Sequence, residues 1–451
     1  MLLPLLLAAN AAAVDGAAAL EHARRLAALG PHPFGSTLSR VAADYVSSEL
    51  TTAGLSDVHL QPFESEGLAG TNVVGTLRAP GPEFVVVAAH HDTAPASPGA
   101  YDDGGGVGIL IEVARTLARE PVRPRTVIFV SFDGTERTGS NAGGAGARAY
   151  VKSIAHDADD LIGVLVIEMG GWSGGTPCLN PLPYTDPMRP SHYRITPGWL
   201  VESLLDGARS AGSPLRLLDP RLSWLVQPMM RTVRLSLGGD DGLFSQAHLP
   251  AAGVSESFAS KPYPWLYQPA DTADKLDAGA LARLGQAVYG ATRAMERLPR
   301  GPVTDPTWFA AGERVWGDSV ILGVGLISLL PGLWLAYRRG GFLFVIRLTC
   351  TIAIAVLLLR RPVPTVWFFA LPGLLLPLSR GWWAKLIAVL PAAGVAGVAW
   401  MAWHKGLVAG LWWAPWELAI FGLAALTVWI VPRSPRRIGK GNRRKRGLSR
   451  R

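Results

Sequence analysis

Cysteine is nearly absent: Cys178 and Cys350 are the only two in 451 residues. That count excludes a disulfide framework and a zinc site built on thiolates, and Cys350 falls inside an apolar run. The glycine-rich stretch 138–146 lacks a Gly-Lys-Ser/Thr ending, which excludes a phosphate-binding loop. Acidic residues all but vanish after Ser319, where Glu417 is the one carboxylate left. The chain therefore divides near residue 318 into two parts of unlike character.

The second part alternates apolar stretches of membrane-spanning length with short basic connections. Spans are expected near 320–337, 341–359, 363–379, 383–403 and 407–431, giving a membrane domain of about five helices over 320–431. Trp334, Trp367, Trp382, Trp383, Trp403, Trp412, Trp413 and Trp416 fall mostly near span ends, where an indole keeps its ring apolar and its N–H wet. The net charge of +9 is a tail effect, because ten Lys and Arg residues lie between 433 and 451 and removing them leaves −1. A basic tail (432–451) after a last span points to the cytoplasm and to anionic membrane lipid rather than nucleic acid. Counting back through an odd number of spans places the amino-terminal domain outside the cytoplasm. Arg338 and Arg339 then lie inside, whereas Arg360 and Arg361 face outward against the positive-inside trend, so the count is open by one. Residues 1–16 read as a signal peptide without a basic start, or as a signal anchor. Residues 301–319 read as a linker.

Between residues 17 and 300 helical and strand patterns alternate. Helical spacing is expected over 17–29, 40–53, 107–117, 141–154, 199–210 and 278–298. Strands are expected over 57–62, 72–77, 84–89, 126–132, 161–167 and 251–256. Strands alternating with helices predict an α/β fold, a mostly parallel or mixed sheet sandwiched by helices, with ligands at the carboxyl ends of the strands. The chemistry-bearing residues sit at those ends. The apolar run 84–89 stops at His90, His91 and Asp92, and ten residues on comes Gly99-Ala100-Tyr101-Asp102-Asp103-Gly104-Gly105-Gly106. Packing gives no reason to gather imidazole and carboxylates there, and a divalent metal site does.

With these motifs residues 17–298 resemble the zinc exopeptidase family, metallopeptidase family twenty-eight. It includes bacterial secreted aminopeptidases, glutamate carboxypeptidase-type ectoenzymes and multispanning metallopeptidases of the endoplasmic reticulum. The stretch 26–36, Leu-Ala-Ala-Leu-Gly-Pro-His-Pro-Phe-Gly-Ser, resembles the family's opening, and the last group shares the order of peptidase domain first and spans after. The resemblance implies two zinc ions bridged by an aspartate. By position His90 would bind the first zinc, Asp102 would bridge, and Asp92 would orient the imidazole. The family's Glu-Glu pair, general base then ligand, reads Thr135-Glu136, so Glu136 is the expected ligand and Thr135 stands at the base position. Glu168, in Val166-Ile167-Glu168-Met169-Gly170, takes the next ligand position. Gln268 stands ahead of the tail Pro-Ala-Asp-Thr-Ala-Asp-Lys-Leu (269–276), where the resemblance implies a histidine.

That tally implies one tight zinc on His90, Asp102 and Glu168, and a weak second site on Asp102, Glu136 and Gln268, since an amide oxygen is a poor zinc ligand. A threonine hydroxyl cannot by itself take a proton from water near neutral pH. Asp133 and Asp241 are the candidates to stand in, and His248 is a candidate for the second metal. The other histidines, His22, His32, His59, His156, His192 and His404, read as surface or packing residues. The function expected is a membrane-anchored zinc metallo-exopeptidase of aminopeptidase type, acting on peptides by metal-activated water. The alternative is a catalytically inactive peptidase-fold binding or scaffold protein. A single-zinc transferase resembling glutaminyl cyclases fits less well, because those relatives keep the ligand set degraded here.

Overall fold

The computed structural model describes residues 13–120, 122–138, 143–180, 196–217, 239–256, 263–299, 301, 308–311 and 314–317. The expected spans, the basic tail, the amino-terminal leader and Cys350 lie outside the described residues. Among those described, no helix is long and apolar enough to cross a membrane.

An eight-stranded mixed sheet forms the centre. Its strands are β1 (Ser56–Ser65), β2 (Leu68–Leu77), β3 (Phe84–His90), β4 (Thr126–Phe132), β5 (Leu161–Ile167), β6 (Pro177–Asn180), β7 (Arg216–Leu217) and β8 (Ala251–Glu256). They run in the order β1-β2-β4-β3-β5-β8-β6-β7. The central four, β4, β3, β5 and β8, are mutually parallel; β2 pairs antiparallel with β4 and β1 with β2, while β6 pairs antiparallel with β8 and parallel with β7. Strands β3 and β5 are buried along their whole length and read as continuous apolar runs, as a sheet covered on both faces requires.

Alternate residues feed two layers. Val85, Val87 and Ala89 pack with the helices α1 (Gly16–Ala27), α2 (Thr37–Thr52), α3 (Gly105–Ala118), α5 (Gly198–Ser210) and α7 (Ala278–Met295). Val86 and Ala88 face the other way, onto α4 (Ala145–Ser153) and α6 (Asp240–Gln246) through Tyr150 and Phe244. Helix starts are capped where the sequence offers an acceptor: Asp15 takes the N–H groups of Ala17 and Ala18, and Asp277 that of Ala280. The short strands β6 and β7 and helix α6 have too few residues to show a period. In the segment expected to be a linker, β9 (Trp308–Ala311) and β10 (Arg314–Gly317) pair antiparallel.

This topology puts the carboxyl ends of the four parallel strands along one edge, with His90 in register with Phe132 and Ile167 with Val254. The loops that follow carry the chemistry.

Candidate metal centre

After β3 the chain makes a left-handed turn at Gly99 and then one wide irregular turn, Ala100–Gly104, in which Asp102 and Asp103 depart from helical angles, ahead of α3. Asp103 is the brace of that turn. Its Oδ1 accepts from the N–H of Gly106 at 3.1 Å and of Met169 at 2.9 Å, and its Oδ2 from His90 at 3.3 Å. A Cβ at position 106 would sit 2.1 Å from that Oδ1, so glycine is required there. The brace ties the ends of β3 and β5 to the loop and presents the neighbouring Asp102 to His90, whose Nε2 lies 3.3 Å from Asp102 Oδ1.

Asp92 does a second positioning task. It is fully buried, its main-chain carbonyl lies 3.0 Å from His90 Nδ1, and its two carboxylate oxygens accept the N–H groups of Thr135 and Glu136, each at 3.0 Å. The loop after β4 is thereby clamped against the end of β3. Despite burial, the His90 imidazole and these two N–H donors hold Asp92 below its ordinary pKa.

The result is a compact trio. The donor atoms of His90, Asp102 and Glu136 lie within 4.8 Å of one another, and among the described residues this is the one such group of His, Cys, Asp and Glu. Burial, then the Asp102 charge, pushes the Glu136 carboxyl up to about 8, and burial likewise lifts Asp103 to about 8. His90 is driven well above its usual value against burial, chiefly by hydrogen bonds to Asp102 and Asp92. A crowd of enclosed carboxylates around one imidazole is short of positive charge, and a dication supplies it. Nitrogen and carboxylate oxygens are also the donor set that zinc takes, so the residues fit the ion.

Glu168 sits just beyond the trio. Its Oε1 accepts the N–H of Asp240 at 3.3 Å, and burial together with Asp241 and Asp240 raises its pKa well above normal. A Cβ at Gly239 would come within 2.4 Å of that oxygen. Gln268 turns to its own loop: it is exposed, and its amide donates to the Pro264 carbonyl at 3.0 Å. Its neighbour in this turn lies within reach of the trio's charges. Tyr267 adopts a left-handed φ of 61°, and although it is half exposed, burial of its phenol and then the charges of Asp102 and Glu136 raise the phenol's pKa. The expected ligand Gln268 thus stays with its own loop, and the trio forms without it.

The turn itself is anchored by Asp271, whose Oδ1 accepts from the Tyr101 N–H at 2.9 Å and the Tyr263 hydroxyl at 2.6 Å. Tyr263 stacks on Tyr101 with centroids 4.1 Å apart.

Of the expected stand-ins for a base, Asp133 is committed elsewhere, accepting from the Ser39 hydroxyl and the Thr71 N–H. Asp241 is buried beside Gly253. His248 is exposed after α6. The carboxylate in contact with Thr135 is one that sequence reading passed over: Asp240, whose Oδ2 accepts from Thr135 Oγ1 at 2.6 Å. Its signal was the acidic pair Asp240-Asp241 set directly before the apolar Leu243-Phe244. Among the remaining histidines, His22 is buried between Tyr45 and Glu112, and His32 lies against the Gly30 carbonyl. His192 and His404 lie outside the described residues.

Residues 72–292 match Peptidase family M28. The resemblance carried by the motifs is thereby borne out. Over 176 residues the chain is 28% identical to a vacuolar membrane protease of Laccaria bicolor, covering 35% of this chain and 16% of that protein. A 55-residue stretch is 40% identical to aminopeptidase YwaD of Bacillus subtilis, 12% of either chain. The matched stretches thus span well under a quarter of the length of these curated relatives. In fold the chain is similar to a zinc aminopeptidase from Bacillus subtilis at 15% identity and TM-score 0.51, over 62% of this chain and 95% of that one. It is similar also to an aminopeptidase from an Aneurinibacillus strain, at 16% identity and TM-score 0.51, over 66% and 98% of the two chains. A glutaminyl cyclase from Porphyromonas gingivalis matches at 17% identity and TM-score 0.50, over 62% and 98%. The fold is therefore that of these aminopeptidases, and a glutaminyl cyclase shares it.

Proposed function

We propose that the chain is a membrane-anchored zinc metallo-exopeptidase of aminopeptidase type, with its M28 domain outside the cytoplasm. The observation that carries this reading is the trio of buried His90 and Asp102 with half-buried Glu136 at the carboxyl ends of parallel strands, beside a further carboxylate at Glu168. His90, Asp102, Glu136 and Glu168 would hold the metal. When bound, zinc supplies Lewis-acid polarisation of a peptide carbonyl and makes water more acidic. The chain's own groups do the rest: Asp92 and Asp103 fix the ligands, and the excess of enclosed carboxylates suits the α-ammonium of a peptide's amino-terminal residue. The fungal relatives named as vacuolar membrane proteases support membrane association, as do the apolar runs after residue 319.

Thr135 at the base position and Tyr267 at the mouth favour a second reading, a peptidase-fold binding module. The two separate cleanly. The full chain, purified in detergent and loaded with zinc, is expected to release amino acids from the amino termini of short peptides. Zinc bound without release from any of a broad peptide set would favour the binding module instead.

A further inference from the structure

We infer that Thr135 and Asp240 form a proton relay for peptide hydrolysis, the threonine holding the base position and the aspartate standing behind it as proton acceptor. The inference rests on the peptidase reading above and names how its proton moves.

Hydrolysis forms a bond from water oxygen to the peptide carbon and breaks the bond from that carbon to nitrogen. One proton must leave the water, and one must reach the leaving amine. A lone threonine serves neither need. Here, however, the Thr135 hydroxyl already gives its proton in a hydrogen bond to Asp240 Oδ2 at 2.6 Å, which leaves its lone pairs free to receive another. As the new O–C bond forms, the water proton passes to Thr135 Oγ1 while the threonine proton passes to Asp240. As the C–N bond breaks, the same two transfers run backward and deliver a proton to the amine. No atom is gained or lost and no co-reactant is needed.

The surroundings are built for this. Thr135 is half-buried beside Glu136, its backbone clamped by Asp92. Asp240 is 1% exposed at the start of α6, with its own N–H on Glu168 Oε1. The pair is thus joined to the metal-binding residues from both sides. Among the described residues, Asp240 Oδ1 is the one fully enclosed carboxylate oxygen with no hydrogen-bond partner. The neighbouring buried acids are spent on structure: Asp92 and Asp103 on backbone N–H groups, Asp133 on Ser39 and Thr71. A carboxylate that a threonine addresses, and that no other described residue hydrogen-bonds, is the expected end of a relay.

The test uses the full chain in detergent and follows zinc content, thermal midpoint, KM and kcat together. Thr135→Val and Asp240→Asn should each keep the zinc and KM and lose about 100-fold in kcat. Thr135→Ser should retain most of the activity, because it restores the hydroxyl. The double variant should be no slower than either single one, since a relay fails as a unit. The idea is overturned if Asp240→Asn holds kcat within about threefold, or if the two losses multiply in the double variant. Loss of zinc from Asp240→Asn with an unchanged thermal midpoint would also overturn it, by making Asp240 a holder of the metal. In these cases an active parent leaves the peptidase reading intact. A zinc-loaded parent that cleaves nothing sinks both.

Discussion

Asp92 Oδ2 receives the backbone N–H of Glu136 at 3.0 Å, and the main-chain carbonyl of the same Asp92 lies 3.0 Å from His90 Nδ1. One buried residue therefore sets the position of two donors, one at the end of β3 and one in the loop after β4. Replacing it with alanine should cost zinc affinity about 10- to 100-fold, the range for removing a group that orients a ligand. It should also destabilise the fold by on the order of 1–3 kcal/mol for each N–H left without a partner. Zinc competition against a chelating dye, with denaturant unfolding of the chelated protein, measures both. An Asp92→Ala protein of parental zinc affinity would show that the clamp is dispensable.

The metal content follows from the turn at 267. One zinc should be held tightly by the purified chain and a second weakly, because Gln268 offers no imidazole and its amide is turned to the Pro264 carbonyl. His90→Ala or Asp102→Ala should strip the tight ion, and Gln268→Ala should change little. Tyr267→His should raise the content toward two. Elemental analysis after dialysis decides this, and two equally tight ions in the parent would contradict it.

A pH dependence is built in under the site. His91 is buried, its Nδ1 lies 2.9 Å from the Ser131 hydroxyl, and burial lowers its pKa from 6.5 to about 3. Between those values the unfolded chain takes up a proton that the folded one refuses. The stabilisation is thus complete above 6.5 and is lost as pH falls toward about 3. In chelated protein, to keep metal linkage out, His91→Leu should lose less stability than the parent on going from about pH 7 to about pH 5. Parallel curves for the two would rule His91 out as the source.

Orientation is tested by fusion. A reporter active only in the cytoplasm, joined after Leu298, should be silent, and one joined at Arg451 should be active. The reverse pattern would place the M28 domain inside.

The central strands and long helices were legible because they repeat a period over many residues. The run 84–89 needed only His90 added, and 126–132, 161–167 and 251–256 appear as read. His90, Asp102 and Glu136, singled out from the sequence by their places after apolar runs and a glycine turn, come together in the structure. What stayed hidden depends on side-chain direction or on distant approach. Gln268 turns its amide to the Pro264 carbonyl, a direction that no pattern in the sequence shows. Thr135 and Asp240 lie 105 residues apart in the chain, and only the sheet order brings α6 against the loop after β4.

The anchoring of Asp271 to Tyr101 and Tyr263 bears on substrate breadth. The turn that carries Tyr267 cannot swing outward alone, because the carboxylate that pins it is fastened to the residue just before Asp102. Opening the mouth on that side would pull a metal ligand with it. Variants that admit bulkier peptides should therefore arise away from this turn, where the wall can be recut without disturbing the ion.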